Sequence, residues 1–219
     1  SIVRYEGKEY RTTPAFLEAA TATFHELDQL VDVDPTFHGD GLVQEMAKAW
    51  RRKKAPEGHR TSPIIGFAKE KLISDEYSAL NQRLHVDRLD YGVGGGKHAE
   101  NVLKLAKAIG TQSILDYGCG KGYLGKAIPF PIWEYDPAIP GKDASPRAAD
   151  LVVCTDVLEH VEPDRIHFVL DDLYRCTKKI GFFVIHTGPS AKTLADGRNA
   201  HILQRSEKWW REAMSRNFQ

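Results

Sequence analysis

Residues 113–123 read SILDYGCGKGY, and this stretch decides the fold. Ile114 and Leu115 form a short apolar run, Asp116 follows, and Gly118, Gly120 and Gly122 then occupy alternate positions. Such a pattern predicts a buried strand that ends in a glycine-rich turn and opens a helix. Glycine accepts positive φ and presents no Cβ to an approaching ligand. Three glycines in five residues after a strand therefore point to a nucleotide-like cofactor. The dinucleotide fingerprint is G-x-G-x-x-G with no acid required ahead of it, whereas the pattern here is D-x-G-x-G-x-G. The competing reading is a structural strand-to-helix turn, because short glycine motifs recur by chance.

Downstream the same alternation of strand and helix continues. Pro131–Asp136 reads as a second strand, and Asp136 stands twenty residues after Asp116. An acid at a strand end with that separation is placed to accept hydrogen bonds from both ribose hydroxyls of a nucleotide. The segment 150–156, DLVVCTD, is apolar enough to be a central parallel strand, and it runs into Val157-Leu158-Glu159-His160-Val161. Glu162-Pro163 then opens a helix with Ile166, Val169, Leu170, Leu173 and Tyr174 on one face. Ile180–His186 is a further strand. A polar loop over 187–199 leads to His201 and a helix over 206–214, with Ser206 as its N-cap. Ahead of the glycine turn, Val102, Leu105, Ala106 and Ile109 give a helix over 99–109 an apolar face.

SILDYGCGKGY and, in the right order after it, DLVVCTDVLEHV resemble motif I and the fourth strand of the class I S-adenosylmethionine (SAM)-dependent methyltransferases. The resemblance covers the chain from about Ala99 onward. It implies an α/β, Rossmann-like fold with a mainly parallel, doubly wound sheet that binds SAM at the carboxyl ends of its strands. It assigns cofactor contacts to Asp116, Gly118, Cys119 and Gly120 in motif I, to Asp136 on the ribose, and to Asp156 after the fourth strand. Asp143-Ala144 resembles the acidic-plus-small pair that contacts adenine. The family inserts a helix and a third strand where this chain has only PAIPGKDASPRAA. It also adds two antiparallel strands after the last helix, where this sequence reaches Phe218-Gln219. A sheet of reduced strand number is therefore expected, with the final antiparallel strands absent. Its open edge would need covering by the amino-terminal region, a partner subunit or a second copy.

Composition excludes several classes. Hydrophobic content of 42% and charged content of 27% are ordinary for a globular protein. Thirty basic residues balance thirty acidic ones, so any nucleic acid would have to use a local patch. No apolar run approaches the roughly 18 residues of a spanning helix, so no membrane partner is expected. Cys119, Cys154 and Cys176 are odd in number and lack C-x-x-C spacing, which argues against a disulfide framework or a zinc site and for a reducing, cytoplasmic setting.

Two domains are expected: a helical amino-terminal region over 1–95, acting as lid or acceptor recognition, and a SAM-binding core over 96–219. IVRYEGKEYRT alternates around Glu6-Gly7 as a small hairpin would. Helices are predicted over 14–30, over 42–54 and from Ser62-Pro63 to about His85. Arg51-Arg52-Lys53-Lys54 beside Trp50 reads either as a phosphate or RNA patch or as a solvated helix end. The loop at 91–98, YGVGGGKH, fails the phosphate-loop pattern at Tyr91 and His98. Tyr77, His85 or this loop would fold over the cofactor.

Methyl transfer from a sulfonium is an in-line displacement, so the protein must orient the acceptor, exclude water and take up a proton. The [DN]-P-P-[YFW] of base amino-methylating enzymes is absent, since Thr155-Asp156-Val157-Leu158 stands there. Cys154 follows Val153 rather than proline and reads as a small buried residue. The favoured reaction is O-methylation of a small-molecule or sugar-like hydroxyl. Catalysis is expected from His201, Asp156 and His160, with His201 as general base. If the segment after the strand is helical, Asp156, Glu159 and His160 share a face. With His201 they would then bind a divalent ion such as Mg²⁺ or Mn²⁺. That pattern is similar to the metal-dependent small-RNA terminal ribose 2′-O-methyltransferases and the ubiquinone-biosynthesis O-methyltransferases, so RNA is the alternative acceptor. A SAM-binding subunit or sensor without turnover is the third reading.

Overall fold

The structure, a computed structural model, describes residues 2–5, 8–11, 45–53 and 72–218. The helix predicted over 14–30, together with Lys54, lies outside these residues. The first elements are β1 (Ile2–Tyr5) and β2 (Lys8–Arg11), an antiparallel hairpin in the predicted place. Then come β3 (Glu45–Arg51), α1 (Asp75–Asp87), α2 (Ala99–Ala108), β4 (Ile114–Tyr117), α3 (Tyr123–Ala127) and β5 (Trp133–Tyr135). The chain continues through β6 (Ala149–Thr155), α4 (Ile166–Cys176), β7 (Thr177–His186) and α5 (Glu207–Met214). Ser206 caps α5 as expected, its Oγ accepting the Trp209 N–H at 3.3 Å.

The main sheet has five strands in the order β3-β7-β6-β4-β5. All neighbours are parallel except β3, which runs antiparallel to β7. Side chains alternate across it as the pleat requires. Leu151, Val153, Phe182 and Val184 pack with Val102, Leu105, Ala106 and Leu124 from α2 and α3. Val152, Cys154, Phe183 and Ile185 pack on the other face with Val169, Leu173, Trp210 and Met214 from α4 and α5. A sheet covered on both faces explains why β6 and β7 read as continuous apolar runs rather than alternating ones. Residues 137–148 form no helix or strand, so the family's third strand is missing, as the short spacing predicted.

One expectation is corrected. Residues 42–54 were predicted to be helical, but Glu45–Arg51 is a strand paired along its length with β7, from Glu45 opposite His186 to Arg51 opposite Ile180. Helical propensity is a weak preference, and the open edge of β7 offers a full ladder of backbone partners that a helix there would leave unsatisfied. Ala49 and Trp50 are both buried, one in each core layer, as adjacent strand residues must be. The edge that needed covering is thus closed by the chain itself. Because β3 is antiparallel, Arg51, Arg52 and Lys53 lie at the end of the sheet opposite the carboxyl ends of the parallel strands. The Arg52 guanidinium stacks 4.2 Å from the Tyr174 ring, and the Lys53 ammonium donates to the Ser215 carbonyl. All three cysteines are buried free thiols. No helix among the described residues is long and apolar enough to cross a membrane.

Candidate active site

A cavity of about 590 Å³ opens at the carboxyl ends of β4, β6 and β7, within the range of small-molecule sites. Its floor is the motif I turn. Asp116 lies in the interior one residue before the end of β4, and the chain then turns through Gly118, Cys119 and Gly120, all on the cavity wall. Gly120 has φ +51°, and a Cβ there would stand 2.7 Å from the Gly92 carbonyl oxygen, so glycine is the residue that fits. The Gly118 and Cys119 N–H groups both donate to the Tyr135 carbonyl, at 2.7 and 3.0 Å, which fastens the turn to the end of β5.

Two carboxylates face this end of the cavity. Asp136 is buried and accepts the Gly120 N–H on Oδ2 at 3.0 Å and the Ala138 N–H on Oδ1 at 2.9 Å. Each oxygen keeps a further lone pair for a ligand. Asp116 is 3% exposed, and its Oδ2 has no hydrogen-bond partner among the described residues. Burial first, and then the Glu134 and Asp136 carboxylates, push its pKa up to about 7. A buried acid with an open oxygen on a cavity wall is a seat for a donor or cation. SAM brings hydroxyls, an ammonium and a sulfonium, and these residues fit it. Asp143 and Ala144 do not line the cavity, and Ala144 is exposed.

The opposite wall is a cluster of histidines. Leu158–His160 is a single 3-10 turn, which buries Glu159 completely and sets His160 beside it. His201 arrives from the loop before α5. Ligand atoms of Glu159, His160 and His201 lie within 4.8 Å of one another. His160 Nδ1 is 2.8 Å from the Ala200 carbonyl, and His201 Nδ1 is 2.8 Å from the Gly188 carbonyl. Each Nδ1–H therefore donates to a carbonyl, and each Nε2 is left with its lone pair. Crowding by protein atoms, followed by His201, lowers His160 to about 3. Burial likewise lowers His201, so both rings are neutral near pH 7.

Asp156 does not join that cluster. It is the only non-glycine residue with positive φ among those described, at +57°, and this turn swings its carboxylate away from the 3-10 segment. Its Oδ2 pairs with Lys97 Nζ at 3.2 Å, and its Oδ1 lies 3.7 Å from His186 Nε2. The condition for a shared face, a helix beginning at Asp156, is not met.

Three residues at the site were not named singly from the sequence: His186 and Tyr91, which line the cavity, and Lys97, which does not; Tyr91 and Lys97 lie in the 91–98 loop that was expected over the cofactor. His186 ends β7 with its ring 5.4 Å from that of His201. The rule that open α/β sheets bind ligands at strand carboxyl ends was the signal available for it. Tyr91 places its hydroxyl 3.2 Å from Asn81 Oδ1 and 3.4 Å from His160 Nδ1. Lys97 holds Asp156. The sequence reading placed their loop over the cofactor but not their contacts, because the partners come from distant segments.

No curated protein matches the chain. Residues 89–217 match the family model described as a methyltransferase domain. With more than half of its length so matched, over a cleft whose acids and glycine turn suit the donor, the chain belongs to the class I SAM-dependent methyltransferases.

Proposed function

We propose that the protein methylates a hydroxyl of a small or sugar-like acceptor. The observation that carries this reading is His201, a neutral imidazole on the cavity wall. Its Nδ1–H is held by Gly188, and Glu159 Oε1 lies 4.0 Å from its Nε2. When bound, SAM supplies a methyl group activated by its sulfonium. His201 Nε2 takes the acceptor proton as the hydroxyl oxygen attacks, and the nearby Glu159 carboxylate stabilises the imidazolium that forms. The C–S electron pair stays with sulfur, and the oxygen carries the methyl. The amino-terminal wall from Tyr77 to Tyr91 excludes water from the reacting atoms. The test is a screen of sugar, phenol and amine acceptors with isotopically labelled methyl donor, followed by NMR location of the label. Label on nitrogen or carbon, with none on oxygen, would sink the reading.

A second, metal-assisted reading is supported by the grouping of Glu159, His160 and His201. These residues would hold a divalent ion that lowers the pKa of the attacking hydroxyl. Two imidazoles with one carboxylate favour Mn²⁺ or a later transition ion over Mg²⁺. Titration with Mn²⁺ of the native protein and of Glu159→Gln separates the readings: metal-assisted transfer requires binding to the former and its loss in the latter. Terminal ribose methylation of RNA draws no electrostatic support from Arg51, Arg52 and Lys53, which do not line the cavity. Cytoplasmic residence, a small-molecule acceptor and no membrane partner are part of the proposed reading.

A further inference from the structure

The face that α1 turns toward the cavity carries Tyr77, Asn81 and His85, spaced four residues apart and so stacked along one side of the helix. Three ties hold α1 there. The Ser74 N–H and hydroxyl both donate to the Glu162 carboxylate, at 2.7 and 2.6 Å. The Ser78 hydroxyl donates to the Pro137 carbonyl at 3.4 Å, one residue past Asp136. His85 packs directly on Gly92, where a Cβ would stand 2.4 Å from His85 Cε1 and 2.7 Å from its Nδ1. Gly92, at φ +69°, in turn accepts the Lys121 N–H from the motif I turn at 2.9 Å. The Tyr91 ring closes on His85 with its centroid 4.6 Å away. The imidazole is thus packed between Tyr91 and Gly92, on the loop that touches the motif I turn.

His85 Nδ1 is buried and has no hydrogen-bond partner among the described residues. It faces the Cα of Gly92, which cannot accept a proton. Desolvation keeps the ring neutral, more strongly than the Asp136 carboxylate favours its charged form. On hydrogen-bonding grounds the single proton therefore belongs on Nε2, which becomes a donor. Asp136 supplies the complementary half, a carboxylate with lone pairs left over after its two backbone contacts. A vicinal diol suits such a pair, since its O–H groups donate to a carboxylate while its oxygens accept from an N–H.

We propose that His85 is a cofactor-binding residue whose Nε2–H donates to a ribose hydroxyl of the nucleoside that Asp136 holds. The proposal rests on the SAM reading of the cleft and adds to it. His85 precedes the matched span 89–217, so membership of the family assigns it nothing.

The experiment is calorimetric titration of the native protein, His85→Ala and His85→Gln with S-adenosylhomocysteine and with its 2′-deoxy and 3′-deoxy analogues. Thermal unfolding checks that each variant is folded. His85→Ala is expected to weaken S-adenosylhomocysteine binding about tenfold, the order of one hydrogen bond. His85→Gln keeps an N–H donor and loses less. Against the analogue that lacks the contacted hydroxyl, the His85→Ala penalty disappears, as a thermodynamic cycle requires. Unchanged affinity in folded His85→Ala overturns the proposal and leaves the cofactor reading standing. An equal penalty for all three ligands also overturns it, because His85 would then act by packing alone. No binding to the native chain overturns both.

Discussion

The two ends of the cavity are built by opposite strategies. The glycine-turn end comes from one short stretch of chain and the strand beside it: Asp116 lies on β4, Gly118 and Gly120 follow it, and Asp136 closes onto Gly120 through one hydrogen bond. The histidine end gathers side chains from four separate segments. Tyr91 belongs to the loop before α2, His160 to the turn after β6 with Glu159 buried beside it, His186 to the end of β7, and His201 to the approach to α5. Burial acts on both ends, and it acts with opposite sign. It favours the protonated form of an acid at one, with Asp116 raised to about 7, and keeps a base unprotonated at the other, with His160 lowered to about 3. A low-dielectric wall disfavours charge of either kind until a ligand supplies the counterpart. One end thereby offers a buried acid to a polar, cationic cofactor, and the other offers neutral imidazole lone pairs.

That division breaks if the ends are not separable, and the largest effect should expose it first. His201→Ala is expected to reduce turnover by roughly 10²- to 10⁴-fold, the usual contribution of a general base, with S-adenosylhomocysteine affinity within about twofold of native. A comparable loss of cofactor affinity, read by calorimetry, would show that the two ends act as one. The converse test is Asp136→Ala. Its loss of charge-assisted hydrogen bonds should weaken S-adenosylhomocysteine by about tenfold or more, on the order of 1.5–3 kcal/mol. Full affinity in a folded variant would remove Asp136 from the ribose.

Smaller effects sharpen the electrostatic contrast through the pH dependence of unfolding without ligand. The folded-state pKa of His160, about 3, lies below its ordinary 6.5. Its contribution is therefore present above pH 6.5 and is lost as pH falls toward 3, because the unfolded chain takes up the proton first. The folded-state pKa of Asp116, about 7, lies above its ordinary 3.8. Its contribution is complete below pH 3.8 and is lost as pH rises through about 7. The two windows overlap between about pH 3.8 and 6.5 with opposite sign, so urea midpoints measured there should fall with rising pH in His160→Gln and rise with it in Asp116→Asn, relative to the native chain. A variant whose midpoints keep the native pH dependence contradicts the assignment for that residue.

The difference between the ends also explains what was legible in advance. Motif I and β6 are local patterns, and each could be read because glycine spacing and continuous apolar runs report on a few neighbouring residues. Asp136 was found by its separation from Asp116, a distance fixed by one strand–helix–strand unit. The reading that grouped Asp156 with Glu159 and His160 assumed a helix. A left-handed φ at Asp156 and a 3-10 turn separate them instead, and sequence spacing does not specify a backbone angle at a single aspartate. The helix predicted over 42–54 failed for a related reason. Whether EMAKAWR coils or extends depends on the vacant edge of β7, more than a hundred residues away in the chain.

The sequence by itself determined the fold class, the glycine turn with Asp116 and Asp136, and the likeness to methyltransferases. Each of these follows from short-range periodicity and turn chemistry, which act wherever the residues occur. Only the tertiary structure decided that β3 completes the sheet, that His186 and Tyr91 join His160 and His201 around the cavity, and that Asp156 pairs with Lys97. Those outcomes depend on which backbone edges remain unpaired and which side chains share a desolvated wall. Both quantities exist only once segments distant in the chain have been brought together.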